Sequence, residues 1–182
     1  MTEARLVPAE TGGLVPEGGG WFVLNARDAR WLDGTLGAYC PWEGREDARF
    51  AQLGINLNVL VPGQPMTMYH RENAQEDFLV LAGEALLVVD GEERPLRPWD
   101  LFHCPAGVDH AIVGAGSGPS VVLAVGARTG EEERGEHGLV YPAEPAAQKH
   151  GAAVDRETTD PKEAYAGMEH AWRAYEPGRL PD

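Results

Sequence analysis

An all-β domain is the fold class this sequence predicts, and three observations carry that expectation. Glycine and proline are frequent, at 23 and 14 of 182 residues, which suits many short elements joined by turns and not a helical bundle. Short β-branched or aromatic runs recur at roughly 8–12-residue spacing, each bounded by Gly, Pro or Asp. Between two of these runs lies Asp90-Gly91, a two-residue hairpin signal.

The elements follow in chain order. Residues 1–20, rich in Gly and Pro and ending in Gly18-Gly19-Gly20, are expected to form a lead-in arm. Trp21–Asn25 is expected as an edge strand and Leu36–Cys40 as a second strand. Ile55–Val59 alternates apolar and polar residues, the period of a half-buried strand, and Pro62-Gly63-Gln64-Pro65 breaks it. Phe78–Leu81, Ala85–Val89, Leu101–Cys104, Ala111–Val113 and Val121–Val125 are the remaining strand candidates. Gly114–Pro119 is expected to be a hairpin loop, because a phosphate cradle needs a helix N-terminus behind it.

After Arg128 the character changes. Glu131–Arg134 is a charge run, expected as a solvated loop. One short helix is expected over Ala143–His150, closing on Gly151. Another should start at Asp160-Pro161, with Asp160 as cap and Pro161 in the first turn. Continued, it would carry Tyr165, Met168, Trp172 and Tyr175 on one stripe, facing the domain or a partner subunit. The chain therefore divides into an arm (1–20), a β domain (21–128) and a C-terminal extension (129–182) that is partly helical.

Charge and composition narrow the function. With 29 acidic and 15 basic side chains the formal net charge is −14, which counts against nucleic acid and against an anionic membrane surface. No apolar run reaches the roughly 18–20 residues of a membrane span, and the N-terminus has no secretory h-region, so a cytoplasmic protein is expected. Cys40 and Cys104 are too few for a disulfide scaffold. Ser117 and Ser120 lie in no nucleophile elbow, and Lys149 and Lys162 are both near the C-terminus. Six histidines and many carboxylates remain, which raises metal chemistry by elimination.

Two segments carry that chemistry. His70 and Glu72 are two apart, so on a strand both project from one face. Glu76 follows after a polar insert and shares a face with Phe78 and Val80. An imidazole and two carboxylates converging in an apolar interior would be costly unpaired, and a divalent cation removes that cost. In Pro105-Ala-Gly107-Val-Asp-His110 a tight corner delivers a further imidazole at the start of the next strand.

These segments resemble the paired motifs of the cupin superfamily, G-x5-H-x-H-x3-4-E-x6-G and G-x5-P-x-G-x2-H-x3-N. Glu76 to Gly83 keeps the interval of six, and Pro105-x-Gly107-x2-His110 matches outright. Gly63 lies one residue too far from His70, while Trp99 and Gly114 replace the second motif's terminal Gly and Asn. Glu72 stands where the second histidine would be. The resemblance spans roughly residues 50–127. It implies a double-stranded β-helix, or jelly-roll barrel, a homodimer, and one metal held by His70, Glu72, Glu76 and His110. That donor set suits divalent Zn, Fe, Mn or Ni. Glu72 could instead stand behind the ligands or act as a general base.

The function implied is a metal-dependent enzyme, of oxygenase, isomerase or lyase type, acting on a small oxygenated molecule. A barrel that binds or senses a small ligand without catalysis is the competing reading. His103 is expected at the surface or in packing, Cys104 as a buried small hydrophobe, and His137, His150 and His170 away from the metal. Leu79 and Leu81 are expected outward, where they would suit a sheet-to-sheet interface.

Overall fold

The computed structural model describes residues 2–44, 48–128, 130 and 138–181. Glu131–Arg134 and His137 therefore lie outside the described residues. Twelve strands and two four-residue helices are present among the described residues. They are β1 (Arg5–Pro8), β2 (Leu14–Glu17), β3 (Arg30–Gly34), β4 (Gly37–Cys40), β5 (Leu53–Leu60), β6 (Glu76–Ala82), β7 (Glu84–Val89), β8 (Glu92–Leu96), β9 (Leu101–Cys104), β10 (His110–Ala115), β11 (Ser120–Ala127), α1 (Pro145–Gln148), α2 (Pro161–Ala164) and β12 (His170–Ala174).

Two antiparallel sheets face each other. The larger runs β12-β3-β4-β5-β11-β6-β9 and the smaller β10-β7-β8, with β1-β2 a separate hairpin. Leu60, Met66, Phe78, Val80, Leu87, Ile112 and Val122 fill the space between them. Cross-strand partners share a face, so the register Tyr39↔Asn58↔Val122↔Val80 and the register Asn56↔Ala124↔Phe78↔Phe102 are rows of the inward face. This arrangement is the double-stranded β-helix, or jelly roll, that the two motifs imply.

Turn chemistry sets the connections. Asp90-Gly91 joins β7 to β8 with Val89 opposite Glu92, and both turn residues have positive φ (47° and 76°), as a two-residue hairpin requires. Pro95 lies on β8, an edge strand, where its missing N–H is tolerated. Between β6 and β7 the chain changes sheet at Gly83, whose φ of 70° and close approach to Pro119 leave no place for a side chain.

Gly114–Pro119 is not the hairpin loop expected from its composition. β10 pairs with β7 and β11 with β5 and β6, so the segment carries the chain from one sheet to the other. Trp21–Asn25 is likewise no strand; only Trp21 makes a single bridge, to Glu3. Leu24 and Ala26 instead pack on the outer face of the large sheet, around the fully buried Trp31. Within residues 1–20 the chain forms the β1-β2 hairpin.

The C-terminal helix stops early. Asp160 caps α2 as expected, accepting from the Lys162 amide, but α2 ends at Ala164 and Gly167 takes a φ of 77°. Trp172 lies on β12, which pairs with β3 and extends the large sheet. The expected helical stripe is therefore split between a one-turn helix and a strand, because the open edge of β3 offers a full ladder of hydrogen bonds. α1 covers the outer face of the small sheet through Ala146 and Ala147, against Tyr69, Val88 and Val113. Leu79 and Leu123 lie on the outer face of the large sheet, half-buried, while Leu81 is covered by the Trp31 cluster. Among the described residues no helix is long and apolar enough to cross a membrane.

Candidate metal centre

The backbone itself brings His70 and His110 together. His70 N–H donates to the His110 carbonyl (3.0 Å), and His110 N–H returns the bond (2.8 Å). The segment 65–70 thus runs beside β10, and the two imidazoles meet with ring centroids 4.9 Å apart. Glu76 opens β6 on the facing sheet and points inward with Phe78 and Val80. Its Oε2 lies 3.3 Å from His110 Nε2 and 3.8 Å from His70 Nε2. Both histidines are buried, and donor atoms of all three residues lie within 4.8 Å of one another.

Each imidazole is oriented through its other nitrogen. His70 Nδ1 is 2.8 Å from the Met68 carbonyl and His110 Nδ1 3.1 Å from the Val108 carbonyl. A carbonyl only accepts, so Nδ1 carries the proton and each neutral ring presents an Nε2 lone pair toward Glu76. Two lone pairs facing a carboxylate in a buried space repel unless something positive lies between them. His110 Nε2 and Glu76 Oε2 have no hydrogen-bond partner among the described residues, although only 3.3 Å separates them. Orphaned buried atoms of this kind call for an explanation, and a metal ion fits it. Without a cation, a proton takes that place: burial works against it, but Cys104 and Glu76 outweigh burial and hold His110 up to about 10. Burial and the charge of His110 push His70 the other way, below its ordinary value.

The surroundings separate a dry side from an open side. Phe78 and Phe102 stack on each other and lie 5.2 and 5.8 Å from the His110 ring. On the opposite side Gly54 and Gly126 stand level with Glu76 in the register of β5, β11 and β6. With no side chains there, a cavity of about 630 Å³ opens beside Glu76, lined also by Glu72, Asn56, Arg49 and Arg128. Arg128 is held by Glu43 (2.5 and 3.1 Å) and by the Phe50 carbonyl (2.6 Å).

The compact donor cluster comprises His70, Glu76 and His110; Glu72 lies on the wall of the adjoining cavity beside Glu76. The Glu72 carbonyl accepts from Gly107 N–H (3.0 Å), which ties the first motif to the corner of the second. His103 is on the surface with Nδ1 2.7 Å from Asp77 Oδ1, and His150 Nε2 lies 3.0 Å from Glu93 Oε1. Cys104 is buried, with Sγ 3.4 Å from His110 Nδ1.

Residues outside the motifs also reach the site. Tyr141 is buried with its ring 5.9 Å from that of His70, and Tyr165 meets Tyr141 edge-on at 5.6 Å. Burial, with contributions from Glu76 and Glu72, raises the Tyr165 hydroxyl above its ordinary value. Arg71 pairs with Asp109, at 2.9 Å. Sequence patterning held no signal for these partners, since each lies 24 or more residues from the group it contacts.

Comparison with known proteins adds the family. Residues 56–126 match the family described as Cupin domain. Among solved structures, the chain is 31% identical to a cupin-superfamily sugar phosphate isomerase of Silicibacter pomeroyi, over 57% of this chain and 62% of that one, with a TM-score of 0.44. It is 24% identical to an RmlC-like cupin of Methanocaldococcus jannaschii with a double-stranded β-helix fold, over 43% and 72%, with a TM-score of 0.40. With a polyketide cyclase of Streptomyces resistomycificus it shares 14% identity over 68% and 73%, with a TM-score of 0.45. The chain thus spans less than two thirds of the length of the Silicibacter isomerase. No curated protein matches the chain. The matched segment contains His70, Glu76 and His110 with the corner at Pro105-Ala-Gly107, and this part of the chain is a cupin domain.

Proposed function

We propose that the chain is a metal-dependent enzyme that acts on a small oxygenated molecule, with one divalent ion held by His70, Glu76 and His110 and joined by Glu72. The observation that carries this reading is the pair of buried Nε2 lone pairs aimed at an orphaned carboxylate oxygen. A bound divalent cation supplies Lewis-acid polarisation of a substrate oxygen, or dioxygen chemistry if it is iron(II).

The chain's own residues do the rest. The Met68 and Val108 carbonyls fix the two rings in the tautomer that ligation needs. Phe78 and Phe102 keep water from the rear of the site. The glycine floor at 54 and 126 leaves the side beside Glu76 open to substrate, which favours catalysis over a purely structural ion. Glu72, on the wall of that opening, takes either the fourth donor position or the proton of a bound substrate hydroxyl.

Elemental analysis of untagged protein tests the reading. About one equivalent of Zn, Fe, Mn or Ni is expected, with loss of metal in His70→Ala. Substoichiometric metal, with unchanged melting in His70→Ala, overturns it. In Glu72→Gln, retained metal moves Glu72 from ligand to general base. Metal present with the open side closed by a fourth protein donor would favour the non-catalytic reading.

The same reading includes a homodimer through the outer face of the large sheet. Leu101 is 64% exposed there and registers with Leu79, which registers with Leu123. Light scattering should give twice the chain mass, reduced to one by Leu101→Glu; a wild-type monomer excludes this part. The division into arm, β domain and extension at residues 20 and 128 is tested by limited proteolysis.

A further inference from the structure

A second cavity lies along the inward face of the large sheet, and none of the three clustered donor residues lines it. Its volume is about 460 Å³, within the ~300–1,000 Å³ of small-molecule sites. One wall is the β3-β4 hairpin and β5, with Tyr39, Asn56 and Asn58; the other is the chain from Tyr165 to His170, outside the residues that match the family. Thr35 N–H donates to the Glu169 carbonyl (3.0 Å) and Glu169 N–H to Thr35 Oγ1 (3.3 Å), so the C-terminal wall is strapped to the hairpin. Asn56 lines both this cavity and the one beside Glu76.

The chemistry of the wall is selective. Among the described residues no lysine or arginine lines it, and its carboxylates are Asp33 and Glu169. An anionic group would therefore lose its hydration beside two carboxylates without gaining a lysine or arginine partner. Met66, Met168, Leu32 and Leu36 supply apolar surface. Beside these two carboxylates and His170, the polar groups of the wall are hydroxyls and amides. Asn58 Nδ2 donates to the carbonyls of Asn56 and Val122, each at 3.3 Å, which fixes the amide and leaves Oδ1 as its acceptor. Thr67 Oγ1 is buried without a hydrogen-bond partner among the described residues. A fixed amide and an unsatisfied hydroxyl beside apolar side chains are the pattern of a ligand site.

We infer that this chamber binds an uncharged molecule with hydroxyl or carbonyl groups on a hydrocarbon frame, with Thr67 and Asn58 as its polar contacts. The inference rests on the proposed function for what the metal then does to such a molecule, but binding itself needs no metal.

The test uses two probes of one frame, uncharged 1-phenylethane-1,2-diol and anionic mandelate, titrated into the full chain and followed by amide NMR. Saturable shifts at Gly34, Gly37 and Asn58 are expected with the diol, and binding about tenfold weaker or less with mandelate. Thr67→Val keeps the volume and should weaken the diol about tenfold. Met168→Trp, which fills the chamber from its C-terminal wall, should abolish the shifts with the melting temperature maintained. Equal or tighter mandelate binding, no shifts with either probe, or undiminished diol binding in both variants overturns the inference. Metal content measured on the same samples keeps the readings apart: diol binding without metal removes only the metal, and metal without diol binding removes only the chamber.

Discussion

Arg71 Nη1 donates to both carboxylate oxygens of Asp109, at 2.9 and 3.2 Å. Arg71 follows His70 and Asp109 precedes His110, so this ion pair clamps the two backbone segments that present the imidazoles. Both side chains are largely buried, at 29% and 26% exposure, so solvent screens the pair less than a surface bridge. The Arg71 amide and carbonyl are also fixed, each bonded to Val140 at 3.1 Å. Replacing the charge should therefore loosen the spacing of the two histidines without unfolding the sheet. Arg71→Gln is expected to weaken metal binding about 10–100-fold, as loss of a group behind the ligands commonly does, and to lower the melting temperature by only a few degrees. Titration against a competing chelator reads the first and calorimetry the second. Unchanged affinity would mean that the reciprocal His70–His110 backbone bonds set the spacing alone.

Glu76 is where charge and shape can be separated. Glu76→Gln keeps the volume on the inward face of β6 but removes the anion that two Nε2 lone pairs face. Metal content should fall below a tenth of an equivalent. Wild-type protein should lose several degrees of melting temperature when EDTA strips the ion, because ligand binding to the native state alone stabilises it. The variant should melt at one temperature with or without EDTA. A variant still sensitive to EDTA would show that the ion lies elsewhere.

Gly83 and Gly118 bracket the same corner with opposite demands. At Gly83 φ is 70° and a Cβ would lie 2.3 Å from the Pro119 carbonyl oxygen, whereas at Gly118 nothing lies within 4 Å. Gly83→Ala combines a left-handed backbone with a backbone clash, for a cost of about 2–4 kcal/mol, or ~5–15 °C in melting temperature. Gly118→Ala should be within about 0.5 kcal/mol of wild type. Chemical denaturation of the pair checks this, and equal stabilities would mean that the corner relaxes at no cost.

Most strands and the clustering of His70, Glu76 and His110 were legible because they depend on local rules. Alternation, Gly/Pro boundaries and the Asp90-Gly91 turn act within a few residues, and the motif spacings from His70 to Gly83 and Pro105 to His110 are local too. What the sequence hid is non-local. Gly114–Pro119 has hairpin composition, yet whether a turn joins paired strands or opposite sheets depends on partners such as Leu60 and Leu87, far away in the chain. Trp21–Asn25 is apolar enough for a strand, but its residues serve to cover Trp31. Terminal segments cover part of each outer face, so alternation is blurred where it would otherwise show inside from outside. Tyr141, Tyr165 and the Arg71–Asp109 pair reach the site only through tertiary packing.

The His110–Glu76 contact also fixes a pH dependence, with opposite signs for metal-free and metal-loaded protein. In the metal-free chain burial disfavours a charge on His110, but Cys104 and Glu76 more than offset it, and the imidazole titrates at about 10 instead of 6.5. A group raised in the folded state contributes stability below its unfolded value and loses it as pH rises through the folded value. Metal-free protein should therefore become less stable from about pH 6.5 toward pH 10. Metal loading reverses the trend, since the cation must displace that proton to reach Nε2. Affinity should rise about tenfold per pH unit between pH 7 and 9, one proton being released per ion bound. His70 adds no slope there, because burial and His110 push its titration below the ordinary value. Chelator competition across pH 6–9, corrected for the chelator's own protonation, measures the slope. A slope of one with falling metal-free stability is the expected result; a flat affinity would mean that His110 is already neutral before the ion arrives.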